Sequence, residues 1–396
     1  MIDQFKNFLK ADNPVKHGLP AFVYTSDAFR EIENHTVFTN NWVFVGFAHE
    51  LEEIGDVQPI TVAGKPFFLV RNDHNEMAAF HNVCRHRCLK LIESSGNCGQ
   101  LIQCPYHSWI YDLQGALKAA PYFGGRDRKK PPPGFLLEDH GLVAVSCETW
   151  HDWIFIRING DGADDDGGLA FDKFIAPLKK RLEDIDLAQI KPVATIDFGV
   201  LQTNWKMLME NFIEPYHVQF VHKTTTSQPL IDHYTILEDH CLGSGCNIAA
   251  EKKDAQRKHD PKTLAVTSRF LTLFPNFVIG TYVPDQLGVH LNIPVNTGET
   301  QQRRVIYLHK DNPASEKEIQ QLRQLWRAVH REDHAICERL QLGRVSEVAA
   351  DGGYLSPHWE DSVRRFQELV VESVFPQGDA SCASANDEHS PLNFKV

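Results

Sequence analysis

The spacing of apolar positions changes character twice along the chain. Residues 26–40, SDAFREIENHTVFTN, carry Phe29, Ile32 and Val37 at helical intervals behind Ser26, a good N-cap residue, and predict a helix. From WVFVGF (42–47) to WIFIRI (153–158) the apolar runs become short, β-branched and aromatic, as in PFFLV (66–70) and GLVAVSC (141–147). Gly, Asn and Asp separate them, which predicts a small all-β module. GDGADDDGG (160–168) is an acidic, glycine-rich break and a candidate boundary. Beyond it, helical patterns at 171–185, 204–222 and 316–342 alternate with strand-like runs such as FPNFVIGTYV (274–283) and RRVIYLH (303–309). The class expected is α+β. Its parts are an N-terminal helical segment (1–40) packing on the larger domain, the all-β module (41–160), the α+β domain (161–377) and a polar tail (378–396) expected to be mobile.

Composition narrows the function. The 396 residues, 42% hydrophobic, suffice for two or three domains. Lys plus Arg number 40 against 52 Asp plus Glu, a net charge of −12, and the longest basic run is RDRKK (126–130). Nucleic acid is therefore not an expected partner. The N-terminal MIDQFKNFLKADNP lacks a basic segment followed by an apolar run, and no apolar run reaches the ~18 residues of a membrane span. A soluble, cytoplasmic protein is expected. Nine cysteines without secretory context read as reduced thiols or metal ligands, with Cys147, Cys241, Cys246, Cys337 and Cys382 as buried or incidental thiols.

Ligand chemistry is concentrated in CRHRCLKLIESSGNCGQLIQCPYHSW (84–109). Cys84-x-His86 and Cys104-x-x-His107 each offer one thiolate and one imidazole from a tight turn. A zinc finger groups its cysteines in one half and its histidines in the other. The mixed halves suit a two-iron cluster with both cysteines on one iron and both histidines on the other, a Rieske [2Fe–2S] centre; a structural zinc site is the alternative. His81 reads as a core or surface histidine.

A second constellation lies in NWKMLMENFIEPYHVQFVHK (204–223). Glu214 and His217 are expected on one helix face, where the carboxylate fixes the imidazole's tautomer. His217 and His222 stand about 140° apart on an ideal helix, so both reach one metal only if the helix deforms, and Pro215 supplies a kink or bulge. In residues 315–341 the apolar stripe runs Ile319, Leu322, Trp326, Val329, position 333, Ile336 and Leu340. Position 333 is Asp, a carboxylate on a buried face that must be paired or bind a metal. Glu332 and Glu338 fall off the stripe and are expected to be solvated. His217, His222 and Asp333 make the two-histidine, one-carboxylate triad of non-haem Fe(II) oxygenases. The competing set is His330 and His334 with Glu332 or Asp333, and the plain alternative is two unrelated histidines at a helix end. Met207, Phe212, Phe220, Phe274, Asn276 and Phe277 are either pocket lining or core.

Together these motifs, with CPYHSWIYDLQGAL, NWK…EN…YH…H and EDHAICERLQ in order, resemble the catalytic α component of Rieske non-haem iron oxygenases over nearly the whole chain. The resemblance implies a Rieske domain joined to a helix-grip-like domain with an antiparallel sheet. It also implies a homotrimer in which His107 of one chain faces Glu214 and His217 of its neighbour. Electrons would come from NAD(P)H through a separate reductase, with or without a ferredoxin, since the chain shows no dinucleotide fingerprint. They would pass from the cluster through Glu214 to Fe(II), where O2 is used to hydroxylate, dihydroxylate or oxidatively dealkylate an aromatic or other small organic substrate. Where many members have Asp, this chain has Glu214, as in oxygenases of quaternary ammonium compounds, so a monooxygenase of an N-methylated compound is the alternative substrate reading. A Rieske electron-transfer protein without oxygenase activity is the alternative of another class. The family's usual glycines are replaced by Cys88 and Ser108, and Cys88 lacks the second-loop partner of respiratory Rieske proteins; it reads as an unpaired thiol, with Cys98 as the alternative partner.

Overall fold

The computed structural model describes residues 5, 7–9, 15–160, 168–223, 225, 229–247, 267–282, 286–311 and 313–375. Most of the GDGADDDGG break, the tail expected to be mobile, and Cys382 lie outside the described residues.

The N-terminal helix starts where Ser26 Oγ accepts the Phe29 N–H at 3.3 Å. It runs over Asp27–His35, is interrupted at Thr36 (φ −121°, ψ −63°), and resumes as the single turn Val37–Asn40, so the one helix expected over 26–40 is two pieces. They pack on two helices of the larger domain, Trp205–Ile213 and Asp361–Val374. Phe38 stands edge-on to Trp205 at 5.0 Å, and Trp205 to Phe366 at 5.7 Å. Lys206 reaches Glu33 at 2.6 Å with both side chains fully buried.

The all-β module follows. Val43–Phe47 pairs antiparallel with Trp153–Arg157, with a bulge between Phe44 and Gly46. Ala144–Trp150, Met77–His81, Lys65–Arg71, Asp56–Val62 and Gly96–Asn97 complete this sheet in that order. A smaller sheet is built from Leu101–Gln103, Ile110–Asp112 and Leu117–Ala119. Phe68, Val70, Phe80, Trp109 and Tyr111 fill the core between them.

The larger domain is a seven-stranded antiparallel sheet in the order Ile190–Leu201, Glu299–His309, Gln286–Asn296, Phe277–Tyr282, Thr267–Leu273, Cys241–Asn247, His233–Glu238. Strand alternation gives it two apolar faces. Val305 and Tyr307 join the core shared with Phe44, Trp153 and the helix Phe171–Arg181. Ile306 and Leu308, one residue out of phase, pack under Leu322, Trp326 and Val329 of the long helix Glu316–Gly343. A capping box between Ser315 and Glu318 starts that helix. Beyond Val329 its deeply buried position is Cys337, whereas Leu340 is 46% exposed, so the stripe does not continue as the spacing predicted. There the long helix turns Cys337 toward Leu201 at the end of the edge strand and Leu208. Among the described residues no helix is long and apolar enough to cross a membrane.

Candidate metal centres

The two loops of the all-β module have the same backbone. Cys84 N–H donates to the Leu89 carbonyl and Cys104 N–H to the Trp109 carbonyl, each at 2.8 Å; Cys88 N–H returns to the Cys84 carbonyl and Ser108 N–H to the Cys104 carbonyl, each at 3.0 Å. Closing such a turn takes a left-handed residue, and Cys88 (φ +57°) and Ser108 (φ +55°) occupy that position. Glycine bears this conformation at no steric cost, whereas another residue costs about 1–2 kcal/mol. Cys88 is an exposed free thiol, and Cys98 is also unpaired.

The loops bring Cys84, His86, Cys104 and His107 together. The thiols of Cys84 and Cys104 are buried, 1% and 2% exposed. The imidazoles of His86 and His107 stand outside them with ring centroids 4.6 Å apart, His86 stacked on Trp109 at 5.0 Å. Tyr111 contributes a hydroxyl 3.3 Å from Cys84 Sγ that also accepts the Arg85 N–H at 3.0 Å. Two inner sulfurs and two outer nitrogens are the donor set of a Rieske [2Fe–2S] cluster. His81 stays on its strand against Phe67, ring centroids 4.6 Å apart.

In the larger domain the helix expected over 204–222 ends at Ile213. Pro215 is the cause. The residue before a proline is pushed out of the helical region, and Glu214 is extended (φ −102°, ψ 141°). The chain turns through Pro215–His217 and forms only the short helix Val218–Val221. This is a break rather than the predicted kink, and Glu214 and His217 do not share a helix face. Their bond forms all the same: Glu214 Oε1 is 2.6 Å from His217 Nδ1, and Oε2 accepts the His217 backbone N–H at 3.1 Å. The break also swings the two imidazoles together, with centroids 5.3 Å apart.

Asp333 meets them from the long helix. Its Oδ1 is 3.0 Å from His222 Nε2 and 3.5 Å from His217 Nε2, and one ligand atom from each residue lies within 4.8 Å of the others. Glu332, expected to be solvated, instead holds His222: its Oε2 accepts from His222 Nδ1 at 2.8 Å and from the Thr225 hydroxyl at 2.6 Å. An isolated stripe count cannot register a partner 110 residues away. Glu338 is half-buried and accepts the Gln202 N–H. Both Nδ1 atoms are thus committed to carboxylates, which turns each Nε2 toward Asp333.

Burial lowers the His217 pKa, but Glu214 and Asp333 outweigh it and raise it to about 10. His222 is likewise raised, with burial opposed by Asp333 and Glu332. The same pairing drives Asp333 below the carboxylate range despite its burial. Three carboxylates around two imidazoles therefore call for added positive charge. Although Asp333 Oδ1 lies 3.0 Å from His222 Nε2 and 3.5 Å from His217 Nε2, among the described residues no donor meets hydrogen-bond geometry at this buried oxygen. A divalent cation on two Nε2 atoms and this oxygen satisfies both demands, and the set fits Fe(II).

The rival set does not assemble. His330 Nε2 receives the Arg304 guanidinium at 3.0 Å and His334 Nε2 meets Gln302 Oε1 at 2.7 Å. Phe212, Phe270, Tyr282, Trp326 and Arg304 line the cavity beside His217, His222 and Asp333. Of the apolar candidates only Phe212 lines it: Phe220 is 55% exposed, Met207, Phe274 and Phe277 are core, and Asn276 is spent on the Phe44 backbone. Arg304 went unnoticed in the sequence, where RRVIYLH reads simply as a strand.

The residues 181–374 match the family model described as ring hydroxylating alpha subunit (catalytic domain), and residues 41–128 match that of the Rieske [2Fe-2S] domain. The chain belongs to this family of Rieske oxygenase α subunits. Over 207 residues it is 32% identical to the glycine betaine monooxygenase oxygenase subunit of Chromohalobacter salexigens, an alignment covering 52% of this chain and 43% of that relative. It therefore spans less than half of that relative's length. To the carnitine monooxygenase oxygenase subunit of Acinetobacter pittii it is 26% identical, covering 91% of this chain and 96% of the relative. A solved quaternary ammonium Rieske monooxygenase superposes with a TM-score of 0.76 at 24% identity, over 91% of this chain and 96% of that one.

Proposed function

We propose that this chain is the terminal oxygenase component of a Rieske system, acting on a small organic substrate in the cavity beside His217, His222 and Asp333. The observation that carries the reading is the unsatisfied, buried Asp333 Oδ1 facing two imidazoles whose other nitrogens are already held by carboxylates. In this reading Cys84, His86, Cys104 and His107 hold the [2Fe–2S] cluster, and His217, His222 and Asp333 hold Fe(II). Bound there, the iron supplies O2 activation with electrons from the cluster. The protein's part is to aim both Nε2 atoms through Glu214 and Glu332, and to seat the substrate between Phe212, Phe270 and the sheet.

Electron supply is external in this proposal, from NAD(P)H through a separate reductase. Inter-subunit electron transfer is described for the similar solved monooxygenase. The exposed His107 and the position of Glu214 at the cavity suit the same route, in a homotrimer with Glu214 as the bridge. The quaternary ammonium relatives favour, as a second reading, an N-methylated substrate that loses a methyl group by hydroxylation.

The test is Asp333→Ala. It should abolish the EPR signal that nitric oxide forms with the mononuclear iron, and halt turnover, while the spectrum of the reduced cluster stays. A nitric oxide signal unchanged in the variant would refute the triad, and none in iron-replete wild type would favour a Rieske electron-transfer protein.

A further inference from the structure

Building on that oxygenase reading, we propose that the substrate is an organic carboxylate and that Arg304 is the residue that binds its carboxylate group. Arg304 projects from the strand Glu299–His309 into the cavity and has no solvent exposure. Its Nη1 donates to His290 Nε2 at 3.1 Å and His330 Nε2 at 3.0 Å. Among the described residues Nε and Nη2 have no partner that meets hydrogen-bond geometry. The Tyr282 hydroxyl lies close enough for a weak hydrogen bond to the guanidinium, and Asp333 adds a longer-range attraction, but neither meets full hydrogen-bond geometry at Nε or Nη2. Among the described residues no carboxylate pairs with Arg304. Its two acceptors are imidazoles, kept neutral by burial and by the guanidinium itself.

An unpaired buried cation is costly, and proteins retain one only where a partner completes it. The atoms left open identify that partner. Nε–H and Nη2–H point from the same edge of the guanidinium, the edge that takes both oxygens of a carboxylate in two parallel hydrogen bonds.

The surroundings hold this edge in place. A Cβ at position 288 would fall 2.2 Å from Nη2 and 2.5 Å from Cζ, so Gly288 on the neighbouring strand leaves the room that the guanidinium fills. On its other side the guanidinium carbon lies 3.6 Å from the centre of the Trp326 ring. His330 sits one helical turn before Asp333, and Arg304 lines the same cavity as the triad, so a substrate whose carboxylate meets Arg304 lies in the cavity that the triad borders.

The same contact restricts the substrate's charge. The Trp326 and Tyr282 rings already carry a cation, at 3.6 and 5.1 Å. A quaternary ammonium without a carboxylate would compete for those faces and be repelled. Glycine betaine and carnitine carry a carboxylate, choline does not, and aromatic acids need no ammonium at all.

Isothermal titration of the metal-loaded protein with matched pairs decides it: benzoate against benzamide, phenylacetate against phenylacetamide, and glycine betaine against choline. At least one carboxylate should bind about tenfold or more tightly than its counterpart, the worth of a charge-assisted pair. Arg304→Gln should abolish that preference and Arg304→Lys keep part of it. If neither variant folds, the wild-type pairs alone decide. No preference in any pair, choline binding more tightly than glycine betaine, or a preference that survives Arg304→Gln would each overturn the assignment. Iron content and cluster absorbance of the same samples report separately on the oxygenase reading: a missing mononuclear iron sinks that reading, whereas lost preference with both metals present sinks only the carboxylate site.

Discussion

Glu332 decides how His222 is presented. Without it, the imidazole could turn Nδ1 inward or rotate away, because Thr225 bonds to the carboxylate rather than to the ring. Gln in its place keeps an acceptor but loses the charge that favours a protonated Nδ1 and a basic Nε2. Glu332→Gln should therefore weaken mononuclear iron binding by about tenfold, at the mild end of what such outer partners are worth. Iron titration of the apo-protein checks this, with the cluster spectrum unchanged; equal affinity would show that His222 needs no such support. The contrast between Asp333 and Glu332 also marks the reach of sequence reasoning. Asp333 was legible because it interrupts an apolar stripe, a local signal. Glu332 and Arg304 gain their meaning from partners on other elements, and nothing in their own neighbourhoods announces it.

Local chemistry foretold most of the elements and missed where tertiary context acts. The short β-branched runs became strands, and the pattern over 316–342 became the helix Glu316–Gly343. Pro215 was legible as a disturbance, but its hold on the preceding residue, which extends Glu214 and turns a kink into a break, went unread although it is local. The helix Asp361–Val374 was not anticipated, although Val363, Phe366, Val370 and Val374 give it a buried face. That face and the N-terminal helix enclose Lys206 and Glu33, which ties the first segment to the helix leading into the triad. Lys206→Met leaves Glu33 as a buried charge with only the Trp205 indole and Arg30 near it, and should cost about 3–5 kcal/mol. Adding Glu33→Leu should recover part of this, since the stranded carboxylate disappears while Arg30 loses its partner. Urea unfolding of both variants tests the point; a single variant as stable as wild type would mean that the pair contributes little.

Over the whole molecule, the two metal sites occupy separate domains, and among the described residues no hydrogen bond or ring contact connects His86 or His107 with His217 or His222. The proposed route runs between subunits of a cyclic trimer, so one chain's cluster would serve its neighbour's iron. Two inactive variants can then restore each other. Cys104→Ala chains keep the mononuclear site and lack the cluster; Asp333→Ala chains keep the cluster and lack the mononuclear site. Neither homotrimer should re-oxidise a pre-reduced cluster in a single turnover coupled to product. In randomly mixed trimers from equal co-expression, a functional pair needs an iron-bearing subunit followed by a cluster-bearing one. This holds for about a quarter of the positions around a cyclic ring, so about a quarter of wild-type turnover should return. Transfer confined within one chain predicts no recovery at all, because no single chain carries both centres. Mixed trimers that form, as shown by differently tagged subunits co-purifying, and yet stay inactive would place the electron path inside the chain and remove Glu214 from its proposed position between neighbours.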